Sequence, residues 1–127
     1  IRETRDLLND EVNYTITLKE NISRTNIREN IEIETKIEDK KPLLYILNSL
    51  DVQVVHEGCK ERNSYVYDDI RFDIDTWDKY TYPYPYMEIE VKKEEDLDKA
   101  IKLLDIDEKN ISIKSIMELR EDLGLNS

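Results

Sequence analysis

Cysteine is almost missing from this chain. Cys59 is the only one in 127 residues, so an intrachain disulfide and a cysteine metal cluster are both excluded. Histidine is as scarce: with His56 alone, neither a histidine metal site nor a Ser-His-Asp triad can be assembled. The two glycines, Gly58 and Gly124, cannot make a Gly-rich phosphate loop. No apolar run approaches transmembrane length and no signal-type hydrophobic segment is present, although the chain does not open on Met and a targeting segment upstream of Ile1 is left open. Cations are in deficit, 19 Lys and Arg against 30 Asp and Glu, for a net charge of -11. Such a field repels polyanions at long range, which argues against general nucleic-acid binding and against anionic membranes; an anionic ligand would need a local basic pocket. A cytoplasmic protein is expected. Three glycosylation sequons, at Asn13, Asn21 and Asn110, have no other sign of secretion beside them.

What is present is alternation. The length suits one domain with a modest core. Val12, Tyr14, Ile16 and Leu18 face one way and Asn13, Thr15, Thr17 and Lys19 the other, which predicts a strand over 12–20. A polar link over 21–26 separates it from a second strand, in which Ile27, Ile31, Ile33 and Ile37 oppose Arg28, Asn30, Glu32, Glu34 and Lys36. Asp39 can cap a helix with Pro42 in its first turn and Leu43, Leu44, Ile46, Leu47 and Leu50 at helical spacing. Extended chain follows over 52–67, broken by Gly58, and pairs through a turn at Asp68-Asp69 with a strand carrying Ile70, Phe72 and Ile74. An aromatic loop over 76–84 leads to a strand over 84–91. Two helices close the chain, one over 94–104 and one capped by Ser115 with Glu118 and stopped by Gly124. The order β-β-β-α-β-β-β-α-α describes an α+β fold with an antiparallel sheet.

Each strand places its charges two residues apart, on one face. Lys60 stands with Arg62, Asp73 with Asp75, and Glu88 with Glu90. The plain reading is the wet side of a sheet packed on helices. The segregation of sign suggests a second one, since paired cations can hold phosphate oxygens while paired carboxylates hold Mg²⁺ or Mn²⁺. Spacing alone leaves water and metal equally open for Glu88 and Glu90. Cys59 falls on the apolar side and is expected to be inert, His56 to fill a strand, and Trp77 with the tyrosines to seal a sheet end or to stack on a base.

Taken in order, Arg2 in Ile-Arg-Glu-Thr, Lys19 in Thr-Leu-Lys-Glu, Arg28 with Glu32-x-Glu34, Lys60-x-Arg62-x-x-Tyr65, Asp75 in Asp-Thr-Trp and Glu88-Ile-Glu90 resemble the CYTH superfamily, the triphosphate tunnel metalloenzymes that include class IV adenylyl cyclase and thiamine triphosphatase. The resemblance extends through Ser115 to Asn126 and implies an eight-stranded antiparallel tunnel or barrel lined with charge. It also implies that Arg2, Lys19, Arg28, Lys60 and Arg62 contact a triphosphate, that Glu88, Glu90 and Asp75 bind Mg²⁺ or Mn²⁺, and that Glu32 and Glu34 line the wall. Lys60, Arg62, Glu88 and Glu90 would carry the catalysis. For each, a surface salt bridge is the simpler alternative, for instance Arg28 with Glu32. The family's N-terminal Glu-x-Glu-x-Lys strand and the helix after it do not occur in this sequence. One CYTH-like domain over 1–127 is therefore expected, truncated at its N-terminus, with the barrel incomplete there. Its open edges would be association-prone or paired with another chain, a homodimer being one such pairing. The expected function is a metal-dependent triphosphatase acting on tripolyphosphate, ATP or thiamine triphosphate. The alternatives are an adenylyl cyclase making cyclic AMP and a non-catalytic polyphosphate- or nucleotide-binding module.

Overall fold

The alternating segments pair into two antiparallel sheets, seen in a computed structural model that describes residues 1–24 and 27–125. The chain divides into two units, Ile1–Val55 and His56–Ser127, and each is described by itself.

In the first unit, β1 (Arg2–Arg5), β2 (Val12–Arg24) and β3 (Arg28–Ile37) form a sheet in the order β1-β2-β3. Strand β2 continues past Asn21, where a polar link was expected. A bulge between Asn21 and Ser23 absorbs the change of register, and Asn21 Nδ2 donates to Glu29 O at 3.2 Å, so polar residues pair where apolar ones are lacking. Helix α1 (Lys40–Ser49) starts as the sequence predicts, with the Asp39 carboxylate accepting from Lys41 N at 3.1 Å. Lys40 Nζ, 2.8 Å from Glu3 Oε2, ties the start of α1 to β1 and holds the Glu3 carboxyl below its ordinary range.

In the second unit, β4 (Lys60–Tyr67), β5 (Ile70–Trp77) and β6 (Tyr86–Glu90) lie in the order β4-β5-β6. Asp68 and Asp69, at φ 49° and 61°, make the tight turn between the first two, with both residues left-handed as a twisted hairpin requires. One face of this sheet holds the core: Ile70 and Phe72 are buried against Ala100, with Ile89 and Val91 packed beside them. Ala100 belongs to α2 (Glu95–Leu104), whose first turn carries Glu95, Asp96 and Asp98, the sign that its dipole favours. A short 3₁₀ turn (Glu108–Asn110) leads to α3 (Ile116–Asp122). There Ser115 and Glu118 form the expected capping box, and Gly124 at φ 71° ends the helix.

Strand pairing in β4 begins only at Lys60, because the stretch 52–59 meets no partner strand among the described residues. Strand β6 begins at Tyr86 rather than Tyr84, since Pro85 has no N–H to give a ladder. Cys59 precedes the strand and is exposed, so it is not the apolar-face thiol that the alternation implied. His56 lies outside any strand and pairs with Thr81 Oγ1 at 2.9 Å. The six strands form two three-stranded sheets, and among the described residues no barrel closes. No described helix is long and apolar enough to cross a membrane.

The loop between β5 and β6 is pinned at many points. Asp78 accepts from Cys59 N at 2.8 Å, Thr81 N at 2.9 Å and Thr81 Oγ1 at 2.7 Å. The bond from Cys59, followed by that from the Thr81 hydroxyl, holds the Asp78 carboxyl down at about 2. Arg120 on α3 is buried and donates to Thr81 O at 2.6 Å, Tyr80 O at 3.1 Å and Leu125 O at 3.0 Å. Gly58 is required here: a Cβ on it would stand 2.5 Å from Thr81 Oγ1 and 3.2 Å from Trp77 Cζ3.

Candidate functional site

Strand register aligns the polar residues of β4, β5 and β6 in rows across one face. Lys60 is opposite Trp77; Arg62, Asp75 and Tyr86 form the next row, and Ser64, Asp73 and Glu88 the third, followed by Arg71 with Glu90. The alternation correctly predicts that these residues share a surface. It does not predict that Asp73 and Asp75, 2 % and 0 % exposed, are buried there. The face is therefore dry along its central strand at Asp73 and Asp75 and wet at its flanks, where Ser64, Glu88 and Glu90 are exposed.

Burying two carboxylates is tolerable only if cations and donors meet them. Arg62 provides most of that compensation. Its Nε donates to Asp75 Oδ1 at 2.7 Å and its Nη2 to Asp75 Oδ2 at 2.8 Å, a two-armed grip, while Nη1 lies 3.4 Å from Asp73 Oδ2. Lys60 Nζ reaches Asp75 Oδ2 at 3.3 Å and lies over the Trp77 ring, 4.9 Å from its centroid. Asp73 accepts from Ser64 Oγ at 2.6 Å and Arg71 Nε at 2.9 Å. Burial alone would push the Asp75 carboxyl up, but the Arg62 hydrogen bond and the Lys60 and Arg62 charges outweigh it and hold it below the ordinary value. Arg62 is held charged in turn, chiefly by its bond to Asp75.

Glu88 and Glu90 have a different setting. Glu88 is exposed and touches Arg62 Nη2 only at 3.4 Å, and Glu90 is exposed beyond it on the same face. Two carboxylates side by side, with their oxygens largely free, fit a hard divalent cation, which commonly takes one or two carboxylates and fills its shell with water and phosphate oxygens. Asp75 fits that part less well, because Arg62 and Lys60 already occupy both of its oxygens. No group of three His, Cys, Asp or Glu side chains among the described residues could hold a metal.

The other candidates lie in the first unit. Lys19 and Glu32 are register partners and pair at 3.5 Å, and Thr17 Oγ1 donates to Glu34 Oε2 at 2.7 Å. The salt bridge of Glu32 is thus to Lys19 rather than to Arg28. Both partners are about half exposed, so the pair contributes little to stability. Arg2 is exposed on β1 opposite Thr15. Arg28 is half-buried, and its Nη1 is a buried donor without a hydrogen-bond partner among the described residues. A donor of that kind suits an incoming anion.

Sequence reasoning paired Asp73 with Asp75 but gave it no part in the site, and it did not single out Ser64, Arg71 or Tyr86 as members of the network. The signal was present: Ser64 continues the Lys60, Arg62 series, Asp73 precedes Asp75 by two, and Tyr86 precedes Glu88 by two. Tyr86 accepts from Trp77 Nε1 at 2.7 Å, and burial raises its phenol above the ordinary value.

The fold and this face define an α+β protein whose sheet carries paired, anchored cations beside paired carboxylates. The chain belongs to the CYTH family: the CYTH domain model matches residues 1–116. CYTH domains bind triphosphate substrates and divalent metal ions in general. No curated protein matches the chain, and no solved structure does.

Proposed function

We propose that this chain is a metal-dependent triphosphatase, with Lys60 and Arg62 binding phosphate oxygens and Glu88 and Glu90 holding Mg²⁺ or Mn²⁺. The observation that carries this reading is the anchoring of two cations by one buried carboxylate. Asp75 fixes the Arg62 fork and the Lys60 ammonium side by side, so a phosphate chain meets donors already in place. On this reading Asp75 is an anchor for the cations. Asp73, with Ser64 and Arg71, supports the same frame from the next row. Arg28, whose Nη1 has no hydrogen-bond partner among the described residues, is the residue of the first unit best suited to an anion, and Arg2 and Lys19 are further candidates there. Glu32 and Glu34 keep the part of wall residues.

Phosphoryl transfer needs mainly charge neutralisation and alignment from a protein. Lys60 and Arg62 would neutralise the oxygens on which charge builds as the bridging bond breaks. A bound divalent ion would supply further neutralisation and a water of lowered pKa. Hydrolysis and cyclisation differ in the nucleophile presented, water or a ribose hydroxyl, so one assay must follow both products.

The test is phosphate release and cyclic AMP formation from tripolyphosphate, ATP and thiamine triphosphate with Mg²⁺ or Mn²⁺, together with binding by calorimetry. Arg62→Lys is the informative variant, because it keeps the charge facing Asp75 and removes the fork. Losing one charge-assisted hydrogen bond should weaken triphosphate binding about tenfold to a hundredfold while circular dichroism stays unchanged. Equal affinity in Arg62→Lys would mean that the pair is structural only. Binding without turnover of any of the three would leave a non-catalytic polyphosphate module.

A further inference from the structure

The charged face has a third kind of surface at one end. Beyond the row of Arg62, Asp75 and Tyr86, the sheet gives way to aromatic rings. Tyr82 meets Tyr86 edge to face at 5.8 Å and Tyr84 edge to face at 5.9 Å, and Tyr86 is bonded to Trp77. Sealing the sheet end accounts for Tyr86 and Trp77, which are half-buried. It does not account for Tyr84, which is 59 % exposed. Nor is this an adaptable loop: Asp78 and Arg120 fix its backbone through the bonds to Cys59, Tyr80 and Thr81. Tyr82 N donates to Asp78 O at 3.0 Å, so the half-buried Tyr82 ring sits on fixed backbone beside the exposed Tyr84 ring, and a flat partner can bind there at little cost in ordering the loop.

The order along the face is therefore aromatic rings, then the anchored cations, then the exposed carboxylates. A ligand that matches it carries a flat ring, then a phosphate chain, with a divalent ion at the far end. The charge of the ring is also constrained. Lys60 already lies over Trp77, so a cationic ring brought to this end meets a like charge, whereas an uncharged base does not.

We propose that Tyr82 and Tyr84 form the seat of an uncharged flat ring next to Lys60 and Arg62, so that the triphosphate taken by this chain is a nucleoside triphosphate. This rests on the triphosphate reading above and specifies its organic end. The experiment is calorimetric titration with tripolyphosphate, ATP and thiamine triphosphate at fixed Mg²⁺ and ionic strength, on the unaltered chain, Tyr84→Ala and Tyr84→Phe. Tyr84 is exposed, so its truncation does not open the core. The expected result is that Tyr84→Ala weakens ATP about tenfold, within the range of one base–aromatic stack, leaves tripolyphosphate unchanged, and that Tyr84→Phe restores ATP binding. Equal effects of Tyr84→Ala on ATP and tripolyphosphate, or none on either, would overturn the ring seat while leaving the triphosphate reading intact. Thiamine triphosphate binding more tightly than ATP, with the same dependence on Tyr84, would overturn the uncharged ring. If none of the three ligands binds the unaltered chain, the triphosphate reading fails and the ring seat with it.

Discussion

Arg62 holds Asp75 with both arms of its guanidinium, at 2.7 Å and 2.8 Å, and Asp75 has no exposed surface. A buried pair of this kind is costly to break from one side, because the surviving charge is left without its partner. Arg62→Ala should destabilise the chain by about 3 kcal/mol, near the low end for a buried pair since Lys60 still reaches Asp75 at 3.3 Å. Asp75→Ala should cost less, as Arg62 keeps Asp73 and Glu88 within 3.4 Å. The double variant should be well above the sum of the two in stability. Urea unfolding of all four proteins measures the coupling, and additive effects would mean that the grip contributes nothing of its own.

Gly58 and Thr81 form a second coupled pair, this time through space. Gly58→Ala places a methyl 2.5 Å from Thr81 Oγ1, a hydroxyl held by Asp78 and His56. A loss of about 1–3 kcal/mol is expected from overpacking. Removing the obstacle should recover part of it, so Gly58→Ala with Thr81→Ala should melt above the value that additivity gives. Thr81→Ser, which keeps the oxygen, should give no such relief.

Asp78 gives stability a dependence on pH. Its folded value is about 2 against an ordinary 3.8, so its contribution is complete above 3.8 and is lost as pH falls toward 2. Asp78→Asn cannot lose a charge that it does not carry. The gap in melting temperature between the two proteins should be constant from pH 7 to pH 5 and narrow steadily below pH 4. A gap that persists unchanged to the lowest pH at which both fold would count against the charged form as the acceptor.

The hairpin turn offers a gain. Asp69 sits at φ 61°, where glycine has no steric cost, and its ion pair with Lys92 is loose at 3.9 Å and exposed. Asp69→Gly should raise stability by about 0.5–1 kcal/mol, read from the urea midpoint, because left-handed backbone costs a residue with a Cβ roughly 1–2 kcal/mol and glycine's greater freedom in the unfolded chain gives back about 0.5–1 kcal/mol of that. Asp68 should not be changed with it, since Lys99 Nζ lies 2.8 Å from its carboxylate.

The order of elements was legible because it depends on local chemistry. Asp39 before Pro42, Ser115 three residues before Glu118 and the Asp68-Asp69 pair each mark a boundary by their own side chains. Alternation also identified which charges share the face of β4, β5 and β6. Whether that face is wet was not legible, because alternation reports direction and says nothing of what lies beyond. Asp73 and Asp75 therefore read as solvated, although Arg62, eleven and thirteen positions away along the chain, makes them part of the interior. Asp78 and Arg120 were missed for a related reason. Asp78 accepts from a backbone 19 residues distant and Arg120 donates to carbonyls 39 and 40 residues distant, separations that no local pattern encodes.

Arg120 lies beyond residue 116, where the match to the family ends, yet it fastens the tyrosine loop by two carbonyls. A chain cut at that limit would keep every charge of the β4-β5-β6 face and lose the clasp on its aromatic end. If the face takes a triphosphate as proposed, its two ends would then part company in their fidelity: grip on phosphate would persist while discrimination between one triphosphate and another decayed.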